Sequence, residues 1–327
     1  MAVSRTLPAP VGLTPSGAAA QALARPPRTY LREVASRLSR NRTAMAGLGF
    51  IALLVLLAVA TPWLAPYDYA TGSLVEANKP PSAAHWLGTD ALGRDELTRL
   101  MWGARVSLTV AIGAQVIILL IGVSLGLLSG FFGGWLDYVV MRLVDALYSL
   151  PSLLVAVVVM SFLRGVLTHS EQSSVAGIAR LDAATGGLTG VFIVLFVTHW
   201  LTVCRIVRAQ VMSIKEREFV LAARAVGAGR PRLMRVHLVP HVLAPVLVAI
   251  SFGIPGSISL EASLSFLGIG VTPPMPSWGT MIAESLAAMR TYPLLLLCPG
   301  VALSLTLLSF VYVGDALRDA LDPLMKR

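Results

Sequence analysis

The sequence has little charge and few lysines. Asp, Glu, Lys and Arg make up only 13% of its 327 residues, whereas a soluble globular domain usually carries about 25%. The three lysines are Lys79, Lys215 and Lys326, and none of them follows a glycine. A P-loop needs a Gly-rich turn with a lysine to hold nucleotide phosphates. If ATP powers this protein, a different chain must bind it.

Sequence signatures of a metal or catalytic site are also missing. The two cysteines, Cys204 and Cys298, both lie in apolar runs and indicate neither a disulfide framework nor a metal site. The five histidines form no His-Glu-x-x-His motif. Residues 122–126 match Gly-x-Ser-x-Gly, but the nucleophile elbow of hydrolases also needs a preceding strand. We therefore predict no catalytic residue, no metal site and no cofactor site in this chain.

Three glycines at four-residue spacing are better explained by helix packing. Gly122, Gly126 and Gly130 lie in one apolar run. Small residues at this spacing let two helices approach each other closely in lipid. We expect this run to pack against another membrane helix.

Apolar residues dominate the composition. They make up 56% of the chain, and the mean hydropathy is +0.76. A spanning helix needs about 20 apolar residues, and six segments meet that length. We predict an all-α, polytopic membrane protein with six transmembrane helices. The predicted spans are 44–64, 105–130, 138–163, 190–212, 241–260 and 294–315.

Lysine and arginine are distributed unevenly between these spans, so the net charge of +9 forms no single patch for nucleic acid. Cytoplasmic segments of membrane proteins are rich in Lys and Arg. The segments predicted to be cytoplasmic are a tail with a basic helix at 1–43, the loop 213–240 and a tail at 317–327. The membrane domain is predicted to be 44–316, and its periplasmic loops 65–104, 164–189 and 261–293. Residues 164–190 are long and polar for a loop of that domain, and we expect them to be a periplasmic insertion.

The segment 217–240 is basic and amphipathic and lies between two predicted spans. Its first half has the apolar spacing of a helix, Gly227 interrupts that helix, and Pro231 suits the first turn of a second one. The small side chains of Ala222 and Ala223 would let another backbone approach closely. On the residues alone, the segment is either a docking surface or a plain cytoplasmic loop.

The same segment resembles the coupling loop of ATP-binding-cassette (ABC) importer permeases, written Glu-Ala-Ala-x3-Gly-x9-Ile-x-Leu-Pro. The matching positions are Ala222, Ala223, Gly227 and Pro240. The sequence departs from the pattern at Leu221, where the family often has its acidic residue, and at His237, where it often has isoleucine.

Further segments resemble the permeases of dipeptide, oligopeptide and nickel importers. They are LGTDALGRD at 87–95, MRLVDALYSLP at 141–151, EASLSFLGIGVTPPMPSW at 261–278 and GDALRDALDP at 314–323. Each motif is short, but the motifs occur in the order that the family shows. The resemblance covers roughly residues 44–325.

This resemblance implies the fold of a type I ABC importer permease in a bacterial cytoplasmic membrane. It also implies a second homologous permease, two cytoplasmic ATPases that bind ATP and Mg²⁺, and an extracytoplasmic solute-binding protein. The implied ATPase contact comprises Glu218, Ala222, Ala223, Arg224, Gly227 and Pro240. The implied solute is a di- or oligopeptide, with nickel or another small solute as the alternative.

Two other classes of function remain open on the residues alone. An ion-coupled secondary transporter would have buried carboxylates mid-helix or broken helices in matching halves. The centres of the predicted spans contain no carboxylate, and no internal repeat is visible. An intramembrane enzyme would need a reactive pair such as Ser and His, and none stands out.

Two charged residues at the start of the third predicted span are three positions apart. Arg142 and Asp145 can pair on one helical face. Charges near a spanning segment are costly and usually face the interior of the helix bundle. We expect this pair to be a structural tie or part of the cytoplasmic gate.

Other polar and aromatic residues suggest structural roles. In the loop before the second span, we expect exposed local ion pairs among Asp90, Arg94 and Asp95, with Asp95 capping the following helix. We expect Trp278 to lie at a membrane interface, where tryptophan is enriched.

Overall fold

The computed structural model describes residues 30–168 and 176–321, and almost all of its regular structure is helical. The helices of this part, in chain order, are α1 (Tyr30–Arg40), α2 (Arg42–Leu64), α3 (Glu96–Phe132), α4 (Gly134–Tyr148), α5 (Ser152–Thr168), α6 (Ala176–Ala184), α7 (Leu188–Ile214), α8 (Glu218–Ala225), α9 (Arg230–Phe266), α10 (Trp278–Ser285) and α11 (Pro293–Leu321). Most of the two predicted tails and part of the 164–190 insertion lie outside the described residues. Helix α1 confirms the basic helix, and α6 adds a helix within the insertion.

Five of these helices are long and apolar enough to cross a membrane. They are α2, α3, α7, α9 and α11. A sixth span exists only if α4 and α5 together count as one, because their axes meet at 94°. The prediction of one straight helix over 138–163 is therefore wrong. The helix breaks before Pro151, which lacks an N–H and disfavours helical backbone at the preceding Leu150.

Helix α9 begins much earlier than the predicted span at 241–260. It runs without interruption from Arg230 through Pro240 to Phe266. A π-helical turn at Leu233–Leu238 directly precedes Pro240, whose ring would collide with a carbonyl in a regular α-helix. The second half of the 217–240 segment is thus the first part of a membrane helix, and the expectation of a separate short helix is wrong.

The closest helix packing joins α3 to α7 and depends on three glycines. A Cβ placed on Gly126 would lie 2.6 Å from the carbonyl oxygen of Cys204, which is far inside van der Waals contact. At Gly122 and Gly130 the added atom would lie 2.8 Å and 2.9 Å from valine side chains of α7. The predicted packing role of these glycines is confirmed.

The loop before α3 is held by buried ion pairs, so the expectation of exposed pairs is wrong. The carboxylate of Asp90 accepts hydrogen bonds from Arg94 at 2.7 Å and from Arg99 at 2.6 Å. Both arginines also donate to Glu284 of α10, each at 2.8 Å. Asp95 caps α3 as predicted, because its side chain accepts from the backbone N–H of Thr98 at 2.8 Å. These contacts fix the loop to the helix bundle.

Two residues of the predicted loop 261–293 are buried in the core instead. Trp278 is fully buried and donates from its indole nitrogen to the carbonyl of Leu100 at 3.3 Å, so the interface prediction is wrong. Glu261 lies inside α9, fully buried, and accepts from the hydroxyls of Ser107 at 2.9 Å and Ser265 at 2.8 Å. The buried carboxylate thereby ties α9 to α3.

The glycine contact predicts the effect of one substitution. Gly126→Val would force α3 away from α7, and overpacking of this kind costs about 1–3 kcal/mol. We expect a lower melting temperature of the purified chain in detergent. Gly49→Val is the matched control, because a Cβ on Gly49 of α2 would meet nothing within 4 Å. Equal melting temperatures of the two variants would contradict this account of the packing.

Candidate coupling surface and solute cavity

Helix α8 is a short, exposed helix between the end of α7 and the start of α9. Its one fully buried side chain, Val220, anchors it to the core. The π turn that follows contributes the buried Leu233 and Leu238 to the same core. Glu218 occupies the first turn of α8, where a carboxylate interacts favourably with the helix dipole. One side of the segment therefore packs against the core, and the other side is exposed.

Most of the predicted coupling residues are exposed. The exposed ones are Glu218, Ala222, Arg224, Gly227 and Pro240. Ala223 is half-buried and packs against the core. Val226 lies beside Gly227 and is 90% exposed.

Gly227 ends α8 in a conformation that favours glycine. Its φ is +91°, and a Cβ at this position would meet nothing within 4 Å. Its N–H donates to the carbonyl of Arg224 at 3.0 Å, and the N–H of Ala228 donates to Ala223 at 3.0 Å. Glycine is needed here for the backbone turn and not because neighbouring atoms crowd it.

Contacts from this segment reach the end of α3 and the first turns of α9. The Lys215 ammonium donates to the carbonyl of Gly130 at the end of α3, at 3.0 Å. The Arg230 guanidinium lies 5.8 Å from the ring centroid of Phe132. On α9, the ring of His241 stacks on Phe219 of α8 with centroids 4.9 Å apart. Helix α8 therefore contacts α9 directly, and the residues on either side of α8 contact the end of α3.

A large cavity lies between α3, α7, α9 and the end of α11. Its volume is about 960 Å³, and apolar side chains form much of its lining. The polar side chains that line it are Gln115, His199, Thr202, Gln210, His241 and Arg318. Gln115 is held in place by a hydrogen bond to Ser257 at 3.1 Å. Among the described lining residues, Arg318 is the one with a permanent charge.

Arg142 and Asp145 do not pair with each other, contrary to the prediction. Arg142 donates to the hydroxyl of Tyr138 on the same helix at 3.1 Å, whereas Asp145 pairs with Arg205 of α7. Arg205 is not among the candidate residues predicted from the sequence. An arginine inside the apolar run 190–212 was the available signal, because such a charge needs a partner.

Comparison with known protein families gives two matches. Residues 122–327 match the family described as binding-protein-dependent transport system inner membrane component. Residues 29–81 match the N-terminal transmembrane domain of oligopeptide transport permease C. The first match covers more than half of the chain.

The chain belongs to this permease family.

Individual relatives agree with the family and extend over nearly the whole chain. An oligopeptide transport system permease protein of Bacillus subtilis is 40% identical over 89% of this chain and 88% of its own length. A glutathione transport system permease protein of Pectobacterium atrosepticum is 35% identical, over 91% and 93%. A nickel transport system permease protein of Escherichia coli K12 is 38% identical, over 88% and 96%.

The family assignment settles the class of protein. The chain is a multi-pass, all-helical inner-membrane permease of an ABC importer that depends on a binding protein. It is the permease component and not the ATPase. The assignment favours neither an ion-coupled secondary transporter nor an intramembrane enzyme.

Proposed function

We propose that this permease moves di- or oligopeptides across the bacterial cytoplasmic membrane by alternating access. It acts with a second homologous permease, two cytoplasmic ATPases that bind ATP and Mg²⁺, and an extracytoplasmic solute-binding protein. ATP closes the ATPase dimer, α8 follows, and the cavity opens toward the binding protein. Import of nickel or another small solute by the same machinery is the alternative.

The chemistry of the cavity is the observation that carries the peptide proposal. Its volume of about 960 Å³ is at the upper end of small-molecule sites, which run to roughly 1,000 Å³. Gln115, Thr202 and Gln210 offer neutral donors and acceptors that suit peptide amides. Arg318 suits a free carboxylate and repels a divalent cation. In the part of the chain that the structure describes, no three His, Cys, Asp or Glu side chains are grouped to hold a metal ion.

The distribution of positive charge supports the proposed orientation. The segment around α8 contains Lys215, Arg217, Arg224, Arg230, Arg232 and Arg235. The segments 65–104 and 261–293 lie near the opposite helix ends and contain few such residues. By the positive-inside rule, this distribution supports a cytoplasmic position for α8 and both termini, on the side where ATPases are available.

The exposed face of α8 is the proposed contact with the ATPase. Ala222 and Arg224 are both exposed and offer a small and a charged side chain, and Gly227 follows the end of the helix. A short helix that packs on the core through one buried valine and exposes most of its other side chains can dock against a partner protein. Because α8 follows directly on α7, a rigid displacement of α8 is passed to the cavity wall.

Gly227→Trp is expected to uncouple ATP hydrolysis from uptake without unfolding the bundle. The bulky ring would occupy open space on the docking face and separate α8 from the ATPase. Uptake and ATP hydrolysis by the complex in vesicles are the readouts, and uptake should fall about tenfold, equivalent to roughly 1.4 kcal/mol.

Gly268→Trp is the matched control for this substitution. Gly268 also has a positive φ, +77°, and a Cβ there would also meet nothing within 4 Å. It follows α9 at the opposite end of that helix from Gly227. Normal uptake by Gly227→Trp, or an equal loss in both variants, would contradict the assignment of α8.

Direct uptake measurements test the substrate. The purified complex, reconstituted in vesicles with its binding protein, should accumulate radiolabelled tri-alanine in the presence of ATP. We expect no competition by Ni²⁺ and no uptake of radioactive nickel. Nickel uptake without peptide uptake would overturn the peptide proposal and leave the permease assignment intact.

A further inference from the structure

Helix α4 is held against α7 at both of its ends by polar contacts. Near its start, Asp137 accepts two hydrogen bonds from the Arg208 guanidinium, at 2.5 Å and 2.7 Å. This bidentate arrangement is among the stronger and more directional ion pairs in proteins. The pair is largely shielded, with 28% of the Arg208 side chain and 19% of the Asp137 side chain exposed.

The other end of α4 carries two more contacts to the same helix. Asp145 pairs with Arg205, whose guanidinium also lies 4.2 Å from the ring centroid of Tyr148. The hydroxyls of Tyr148 and Thr202 are 2.5 Å apart. On α7 the partners are spaced three residues apart, and we call the whole set the α4–α7 ladder. The ladder consists of Asp137–Arg208, Asp145–Arg205 and Tyr148–Thr202.

Because the chain turns at both ends of α4, its orientation depends on this ladder together with the buried Val140 and Val144. Before it, Gly133 and Gly134 have φ values of +64° and +60°, and an added Cβ on either would meet nothing within 4 Å. After it, the chain turns by 94° into α5. Two arginines in an apolar helix are costly unless they are paired. Helix α4 therefore behaves as a rigid segment that is fastened to α7.

The ladder lies between the coupling surface and the cavity. At one end, Lys215 and Arg230 flank α8 and contact Gly130 and Phe132, directly before the glycine joint. At the other end, Thr202 both bonds Tyr148 and lines the cavity. A displacement of α8 thus has a continuous path of contacts to the cavity wall.

We propose that the α4–α7 ladder positions the cavity wall in response to α8, and that transport depends on the Asp137–Arg208 pair. The inference rests on the proposed function, because it takes α8 as the site where the ATPase acts. The pair is shielded and bidentate, so it contributes more than the exposed Asp145–Arg205 pair. Both residues act through α4 and are positioning residues.

Charge reversal separates a positioning role from a merely structural one. A structural tie would change only the amount of assembled complex, whereas a positioning pair changes the solute moved per ATP hydrolysed. The variants are Arg208→Asp, Asp137→Arg and the double exchange, each in the full complex with its binding protein. Arg142→Gln is the matched control, since Arg142 lies on α4 but contacts Tyr138 of the same helix.

Each single reversal is expected to lower tri-alanine uptake by about tenfold while basal ATP hydrolysis stays within about twofold. The double exchange should recover about half of the uptake per ATP, because a double-mutant cycle isolates the pairwise interaction. The control should match the unaltered complex. Normal coupling in the single variants, or no recovery in the double exchange, would overturn the proposal.

A second variant covers the case in which Arg208→Asp does not assemble. Asp137→Asn keeps the size of the side chain and removes one charge, so it should still lower uptake per ATP. The proposal fails if this variant behaves like Arg142→Gln. Absence of tri-alanine uptake in the unaltered complex would count against the peptide proposal alone. Binding-protein-stimulated ATP hydrolysis would still report the effect of each ladder variant.

Discussion

The close contact between α3 and α7 is the constraint on which the rest of this structure depends. Apolar side chains gain little from each other in lipid, so two membrane helices associate through close van der Waals packing. Gly122, Gly126 and Gly130 provide it by letting the α7 backbone and its valines rest directly on α3. With α3 and α7 in register, Gln115 and His199 face the same cavity. The same packing brings Lys215 to the end of α3.

Helices α7 and α9 connect the two functional regions. Helix α7 runs from the cavity to α8, and α9 runs from the end of the coupling segment back past the cavity. Because α9 is continuous from Arg230, the second half of the 217–240 segment and the membrane helix form one helix. Helix α8 contacts α9 where Phe219 stacks on His241, and His241 also lines the cavity. The α4–α7 ladder provides a second chain of contacts between the region of α8 and the cavity wall.

The sequence locates five of the spans, because lipid requires long apolar runs and a spanning helix satisfies its own backbone. Helices α3 and α9 extend well beyond their predicted bounds. Local rules also succeed at Asp95, which caps α3, and at the glycine stripe. Proline was harder to interpret. At Pro151 the helix breaks, and the axes of α4 and α5 differ by 94°. At Pro240 the helix continues through a π turn. No local rule separates these two outcomes.

Contacts between distant segments account for the remaining errors. Asp145 lies three residues from Arg142, yet its partner is Arg205, sixty positions away. Trp278 is covered because α10 folds back on a core that other helices, distant in sequence, help to form. Spacing along one helix identifies a possible neighbour but cannot exclude a better one on another helix. The cavity could not be predicted for the same reason, because its lining residues come from four separate helices.

The measurement that tests the central claim most directly is site-specific photo-cross-linking of the intact complex in its native membrane. A photoreactive amino acid replaces Ala222 on the exposed face of α8, and a second variant carries it at Gly268 beyond the far end of α9. We predict that the first variant cross-links to an ATPase with a P-loop and the second does not. A product with no ATPase at Ala222, or an ATPase captured from Gly268, would contradict the account.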